Sequence, residues 1–119
     1  FADSTMAYQG YGGGVDAERI DAVHKATLGE LQPDLTLVLD LPLEQGLARA
    51  GRRFLEKKMS GEDRYERMER DFHQRLRDGF LAIAAADPAR CRVIDAGADV
   101  DAVAAAILAA VSEKFGVTF

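Results

Sequence analysis

Three short stretches of this 119-residue chain gather side chains that could do chemistry. The first holds Ser4, Thr5, Tyr8 and Gln9. Small hydroxyls beside an aromatic ring and an amide can read the polar edge and the shape of a small ligand. They can equally cap a turn and pack a core. The second runs from Arg49 through Arg52, Arg53, Lys57 and Lys58 to Asp63, Arg64, Tyr65 and Glu66. Cationic side chains on a segment without clean periodicity can swing over a small polyanion and exclude water from it, or form a solvated basic loop. The third is Val93-Ile94-Asp95-Ala96-Gly97. A loop at the carboxyl end of a parallel strand faces ligands in open α/β sheets, although Asp95 also suits the capping of a turn.

The elements that must position these residues follow from the apolar spacing. Gly10, Gly12, Gly13 and Gly14 oppose a sustained helix, so residues 3–9 read as a short helix or turn entering a flexible loop. Ile20, Val23, Thr27, Leu28 and Leu31 recur at helical spacing from Asp16, and Pro33 marks the stop. Residues 34–41 form a near-continuous apolar run, the pattern of a strand covered on both faces. Pro42 suits the first turn of a helix burying Leu43 and Leu47. Residues 51–63 read as an excursion. Tyr65, Met68, Phe72, Leu76, Phe80 and Ile83 then predict a long helix ending near Asp87 and Pro88. A second short strand covers residues 91–96. Asp99 or Asp101 can cap a final helix burying Val103, Ile107, Leu108 and Val111.

Strands alternating with crossover helices predict a layered α/β fold with a parallel sheet. Two strands do not complete a doubly wound sheet, so further strands are expected upstream or on another chain. Phe1 stands where an initiator methionine would, which adds to the expectation of a longer protein.

Composition narrows the function classes. Hydrophobic residues make up 48% and charged residues 29%, a globular composition, and the net charge of -5 argues against a general nucleic-acid or anionic-membrane binder. No apolar run approaches the roughly 18 residues of a membrane-spanning helix. Cys91 is the single cysteine, so no internal disulfide is possible and a reducing cytoplasm is the expected setting. His24 and His73 lack ligand spacing, and no metal site is expected from the chain. The glycine cluster is neither a phosphate-binding loop, because no Gly-Lys-Ser/Thr follows, nor a dinucleotide fingerprint.

Taken together, the three stretches resemble thymidylate kinases along nearly the whole chain. The residues Ser4-Thr5-Met6-Ala7-Tyr8-Gln9-Gly10 are similar to the family's Ser-x-x-Ala-Tyr-Gln segment, where an Asp-Arg pair precedes the aromatic residue standing here as Phe1. Residues 62–66 resemble the signature that closes the family's basic lid, placed here at about residues 50–64. Asp95-Ala96-Gly97 resembles the loop walling the adenine site. One departure is Gly13, where the family usually carries arginine.

The resemblance implies the C-terminal part of a single nucleoside monophosphate kinase domain spanning residues 1–119. It also implies a P-loop NTPase-type three-layer fold with helices on both sheet faces. Thr5 and Ser4 would meet thymine, Tyr8 would fill the space of a 2′-hydroxyl, and Gln9 would line the pocket. Arg49 would stack on the adenine of ATP, with Asp95, Ala96 and Gly97 beside it. Arg64 would approach the transferring phosphates. Asp63, Tyr65 and Glu66 would border the acceptor phosphate, and Arg52 or Arg53 would be candidates for a lid cation. Magnesium would be bound mainly through nucleotide phosphates. The activity implied is phosphoryl transfer from ATP to thymidine monophosphate (dTMP) in a cytoplasmic homodimer, needing an N-terminal half that holds the phosphate loop. The 119 residues alone are expected to be inactive. Another monophosphate kinase of the same architecture, or a non-catalytic binding or dimerisation module, are the alternative readings.

Overall fold

The computed structural model describes residues 1–50 and 63–119. In chain order they form α1 (Ala2–Thr5), a π-helical stretch (Met6–Gly12), α2 (Ala17–Leu28), β1 (Thr36–Asp40), α3 (Leu43–Ala50), α4 (Asp63–Ala86), β2 (Cys91–Asp95) and α5 (Val100–Phe115). The predicted alternation of helices and strands is therefore present.

β1 and β2 pair in parallel, from Thr36 opposite Cys91 to Asp40 opposite Asp95. Ala96 extends the pairing by donating its amide to the Asp40 carbonyl at 2.8 Å. Successive side chains alternate across a sheet, so Thr36, Val38 and Asp40 share a face with Cys91, Val93 and Asp95. Helix α4 lies on that face: Val38, Ala84 and Cys91 are buried together, and Phe80 packs against them. On the opposite face Arg92 reaches Glu113 of α5 at 3.8 Å. Helices thus flank both faces of the pair, with Ile94 and Ala110 buried on the α5 side.

Several boundaries and burials differ from the sequence expectation. The first helical run continues through Gly12 because tertiary packing overrides glycine's low helix propensity. A Cβ on Gly12 would stand 2.6 Å from the Phe72 ring, and one on Gly79 would stand 2.6 Å from Tyr11. The missing Cβ atoms let the π-helical stretch lie directly on α4, and Arg75 fastens it by donating Nε and Nη2 to the Gly12 carbonyl at 3.3 and 3.2 Å. Helix α2 is capped by Asp16, which accepts from the Glu18 amide. It ends at Gly29, with φ of 62°, and not at Pro33. Only glycine adopts that backbone readily.

Of the α2 stripe, only Ile20 is buried, while Val23 and Leu31 are 65% and 68% exposed. β1 is not covered on both faces among the described residues, since Leu39 is 55% exposed. Met68 and Leu108 also face outward, contrary to the expected core stripes. Asp99, not Asp101, caps α5 by accepting from the Ala102 amide at 2.8 Å.

Candidate functional site

The carboxyl edge of the sheet brings the third stretch to the end of α3. Arg49 donates Nη1 to the Ala96 carbonyl at 3.0 Å, joining residues 47 positions apart. Asp95 turns the chain there by accepting the Gly97 amide at 2.8 Å on Oδ1. Asp95 is therefore the turn-former that its residue type suggested, and it sits in the loop beside Arg49. The loop is tight. A Cβ on Gly97 would meet Gln45 Oε1 at 2.8 Å and Asp95 Oδ1 at 3.0 Å. Arg49, Asp95, Ala96 and Gly97 consequently form one wall, with Gln45 of α3 against it.

Next to this wall, Asp40 ends β1 and accepts from Arg77 of α4 through both oxygens, Nε to Oδ1 at 2.9 Å and Nη2 to Oδ2 at 3.0 Å. This two-point geometry is the strong form of a carboxylate–guanidinium pair. The Arg77 hydrogen bonds hold the Asp40 carboxyl below its usual range. A groove of about 760 Å³ runs along β1 from Phe1, Asp3 and Ser4 to Asp40, with Leu43, Leu47, His73 and Arg77 on its sides.

The first stretch is spread over three surfaces. Ser4 opens on the β1 groove. Thr5 turns its hydroxyl to the Phe1 carbonyl at 3.1 Å, a local helical bond, and lines with Gln9 a second, apolar groove against Ile20, Val23 and Leu28 of α2. Tyr8 leans on α4, with ring centroids 6.1 Å from Phe72 and 6.5 Å from Phe80. The structure therefore does not gather Ser4, Thr5, Tyr8 and Gln9 into a single pocket.

What fixes the start of that helix is an ion pair absent from the sequence reading. Arg90 donates Nη1 and Nη2 to the two oxygens of Asp3 at 2.7 and 3.0 Å, Nη1 also to the Thr36 hydroxyl at 2.6 Å, and Nε to Asp87 at 2.9 Å. The Arg90 side chain is 12% exposed and that of Asp3 20%. The Arg90 bonds pull the Asp3 carboxyl below its usual range, and the Asp3 bond raises the guanidinium in turn. Burial pushes the Cys91 thiol up, which keeps it protonated and poor as a nucleophile.

In the second stretch, Arg52 and Arg53 lie outside the described residues. Asp63, Arg64, Tyr65 and Glu66 form the backbone of the first turn of α4, and their side chains lie outside the description. The residues that sequence reasoning missed are Asp3, Asp40, Arg77 and Arg90. Asp40 carried a usable signal, a carboxylate at the end of an apolar strand. Asp3 and Arg90 carried none, being 87 positions apart.

These features define an α/β protein with a parallel sheet and a tight loop, held by Arg49, at the sheet's carboxyl edge. The thymidylate kinase family model matches residues 1–107. The chain is 49% identical over 114 residues to the thymidylate kinase of Nitrobacter winogradskyi, covering 96% of this chain and 48% of that protein. It is 50% identical over 116 residues to that of Caulobacter vibrioides, covering 98% of this chain and 53% of that one. Among solved structures, a thymidylate kinase from Ehrlichia chaffeensis superposes with a TM-score of 0.58 at 30% identity, over 90% of this chain and 43% of that chain. The chain belongs to the thymidylate kinase family and has its P-loop-type α/β fold. It spans about half the length of the curated relatives it matches.

Proposed function

We propose that the protein carrying this chain transfers the γ-phosphate of ATP to dTMP, giving thymidine diphosphate for dTTP synthesis. The observation that carries the reading is the Arg49–Ala96 bond, which puts the cation proposed for adenine against the loop proposed as the adenine wall. The parallel pairing of β1 with β2 brings both to the carboxyl edge of the sheet, where open α/β folds receive their ligands.

In this reading Arg49 stacks on the adenine ring, while Asp95, Ala96 and Gly97 bound its edge. Ser4, Thr5, Tyr8 and Gln9 receive the acceptor nucleotide. Thr5 takes the polar edge of thymine by giving up its bond to the Phe1 carbonyl, and Tyr8 fills the position of a ribose hydroxyl. Arg64 and one of Arg52 or Arg53 neutralise the charge that builds on the transferring phosphoryl group, whose transfer depends on positioning and electrostatics. Asp63, Tyr65 and Glu66 border the acceptor phosphate.

Magnesium fits this surface as a phosphate-bound ion. Among the described residues, Arg77 engages both Asp40 oxygens and the Gly97 amide engages Asp95 Oδ1, which agrees with an ion held mainly through nucleotide oxygens. When bound it supplies charge neutralisation. The residues of this chain supply orientation and exclusion of water.

The same reading assigns the open groove along β1 to the N-terminal half of the kinase domain, which would add strands and the phosphate-binding loop. It supports this that β1 has one strand partner among the described residues and that Leu39 is exposed. A cytoplasmic homodimer completes the reading. The single cysteine suits a reducing compartment, and the outward Val23, Leu31 and Leu108 suit contact with further protein surface.

The test is phosphoryl transfer by the full-length protein with ATP and dTMP, uridine or adenosine monophosphate as acceptor. Preference for dTMP is expected, and preference for either of the others overturns the substrate assignment.

A further inference from the structure

Tyr8 stands on a seat of two aromatic rings. The Phe72 ring is 6.1 Å from it at an interplanar angle of 55°, and the Phe80 ring is 6.5 Å away, edge-on at 83°. Both distances fall in the range of favourable aromatic pairs. Tyr8 itself is 45% exposed, so its ring has a free side toward solvent and a held side toward α4.

The seat is itself fixed. Phe80 packs on the buried cluster of Val38, Ala84 and Cys91. Phe72 is pressed against Gly12, at a spot where even one added carbon would come within 2.6 Å. Gly12 lies about one turn on from Tyr8 in the same helical stretch, so one helix segment both rests Tyr8 on the Phe72 ring and confines that ring. A side chain with two rotatable torsions and one open face keeps a single direction only if its other face is blocked. Phe72 and Phe80 are what blocks it.

We propose that Phe72 and Phe80 are positioning residues for sugar selectivity. They hold the Tyr8 ring at the place where it excludes a 2′-hydroxyl, so discrimination between deoxyribose and ribose acceptors depends on α4 as well as on Tyr8. This rests on the assignment of Tyr8 to the acceptor sugar made above. Neither phenylalanine touches the nucleotide in this arrangement. Removing one ring frees Tyr8 to yield to the extra hydroxyl, and the ribose substrate gains relative to the deoxyribose one.

The experiment measures kcat/KM of the full-length enzyme for dTMP and for its ribose counterpart, in wild type, Phe72→Leu, Phe72→Tyr and Phe80→Leu. An aromatic pair contributes an amount equivalent to roughly a two- to tenfold ratio. Phe72→Leu is thus expected to lower the deoxyribose preference by about that factor, and Phe72→Tyr, which keeps the ring, to restore it. A purely structural role lowers both substrates together and leaves the ratio unchanged. If Phe72→Leu does not fold, the same shift is read from Phe80→Leu. A selective wild type whose ratio is unmoved in every folded leucine variant overturns this inference and leaves the kinase reading standing. A wild type that uses both sugars equally overturns the role of Tyr8, and this inference with it.

Discussion

Asp3 and Arg90, 87 positions apart, are locked together by two hydrogen bonds of 2.7 and 3.0 Å in a setting largely shielded from water. The pair ties the helix that carries Ser4, Thr5 and Tyr8 to the loop that enters β2. Arg90 extends the tie to Thr36 at the start of β1 and to Asp87. One guanidinium thus joins three segments distant in sequence.

Truncating this hub strands two carboxylates. Hydrogen bonds to charged groups contribute about 1.5–3 kcal/mol each way when one partner is removed, so Arg90→Ala is expected to destabilise the protein by about that amount. Arg90→Lys is expected to recover part of it, since a lysine keeps the charge but loses the planar two-point geometry. Urea unfolding of the three proteins checks the order, and an Arg90→Ala variant as stable as wild type contradicts it.

The same pair sets an acid limit. Asp3 and Asp40 have folded pKa values below the ordinary 3.8 because Arg90 and Arg77 bond them. As pH falls, the unfolded chain takes up these protons first, so the stabilisation is complete above about pH 5 and is lost progressively below about pH 4. The raised arginines titrate far above this window and do not enter it. Asp3→Asn is expected to flatten the acid limb of stability against pH between about 2.5 and 5. Parallel limbs for wild type and variant contradict the assignment.

Gly79→Ala separates two opposing effects. Alanine in place of glycine favours a helix by about 1 kcal/mol, but its Cβ would meet Tyr11 Cγ at 2.6 Å. Overpacking of this kind costs about 1–3 kcal/mol, so the clash prevails and a net loss of up to about 2 kcal/mol is expected in denaturant unfolding. Gly14, with φ of 77° and no neighbour near its missing Cβ, isolates the backbone effect alone. Gly14→Ala is expected to cost about 1 kcal/mol through strain.

At the candidate nucleotide wall, Arg49→Ala in the full-length enzyme is expected to raise KM for ATP by about tenfold, a loss near 1.4 kcal/mol of binding, with little change in KM for dTMP. An equal rise in both KM values removes Arg49 from the adenine side.

Much of the fold was legible because its signals are local. The apolar run over residues 34–41, the spacing of Leu76 and Phe80, and an aspartate cap at Asp99 or Asp101 each place an element without reference to the rest of the chain. Arg49 and Asp95–Gly97 were singled out through the family resemblance, and the parallel pairing of β1 and β2 brings them to one sheet edge, where Arg49 bonds Ala96. The helical run through Gly12 was not, since its cause lies 60 residues on in Phe72. Exposure of Val23, Leu31 and Leu39 was also hidden, because periodicity marks an apolar face but not whether anything covers it. The Asp3–Arg90 hub depends on a fold-level meeting of two polar residues that no short window contains.

The central claim is acceptor identity, and one assay addresses it: formation of thymidine diphosphate from dTMP and ATP by the full-length protein, against uridine and adenosine monophosphates at equal concentration. The account predicts the highest kcat/KM with dTMP and a fall of about 10³–10⁵ in kcat on Arg64→Ala. No diphosphate from dTMP, or faster turnover of either competitor, would contradict it.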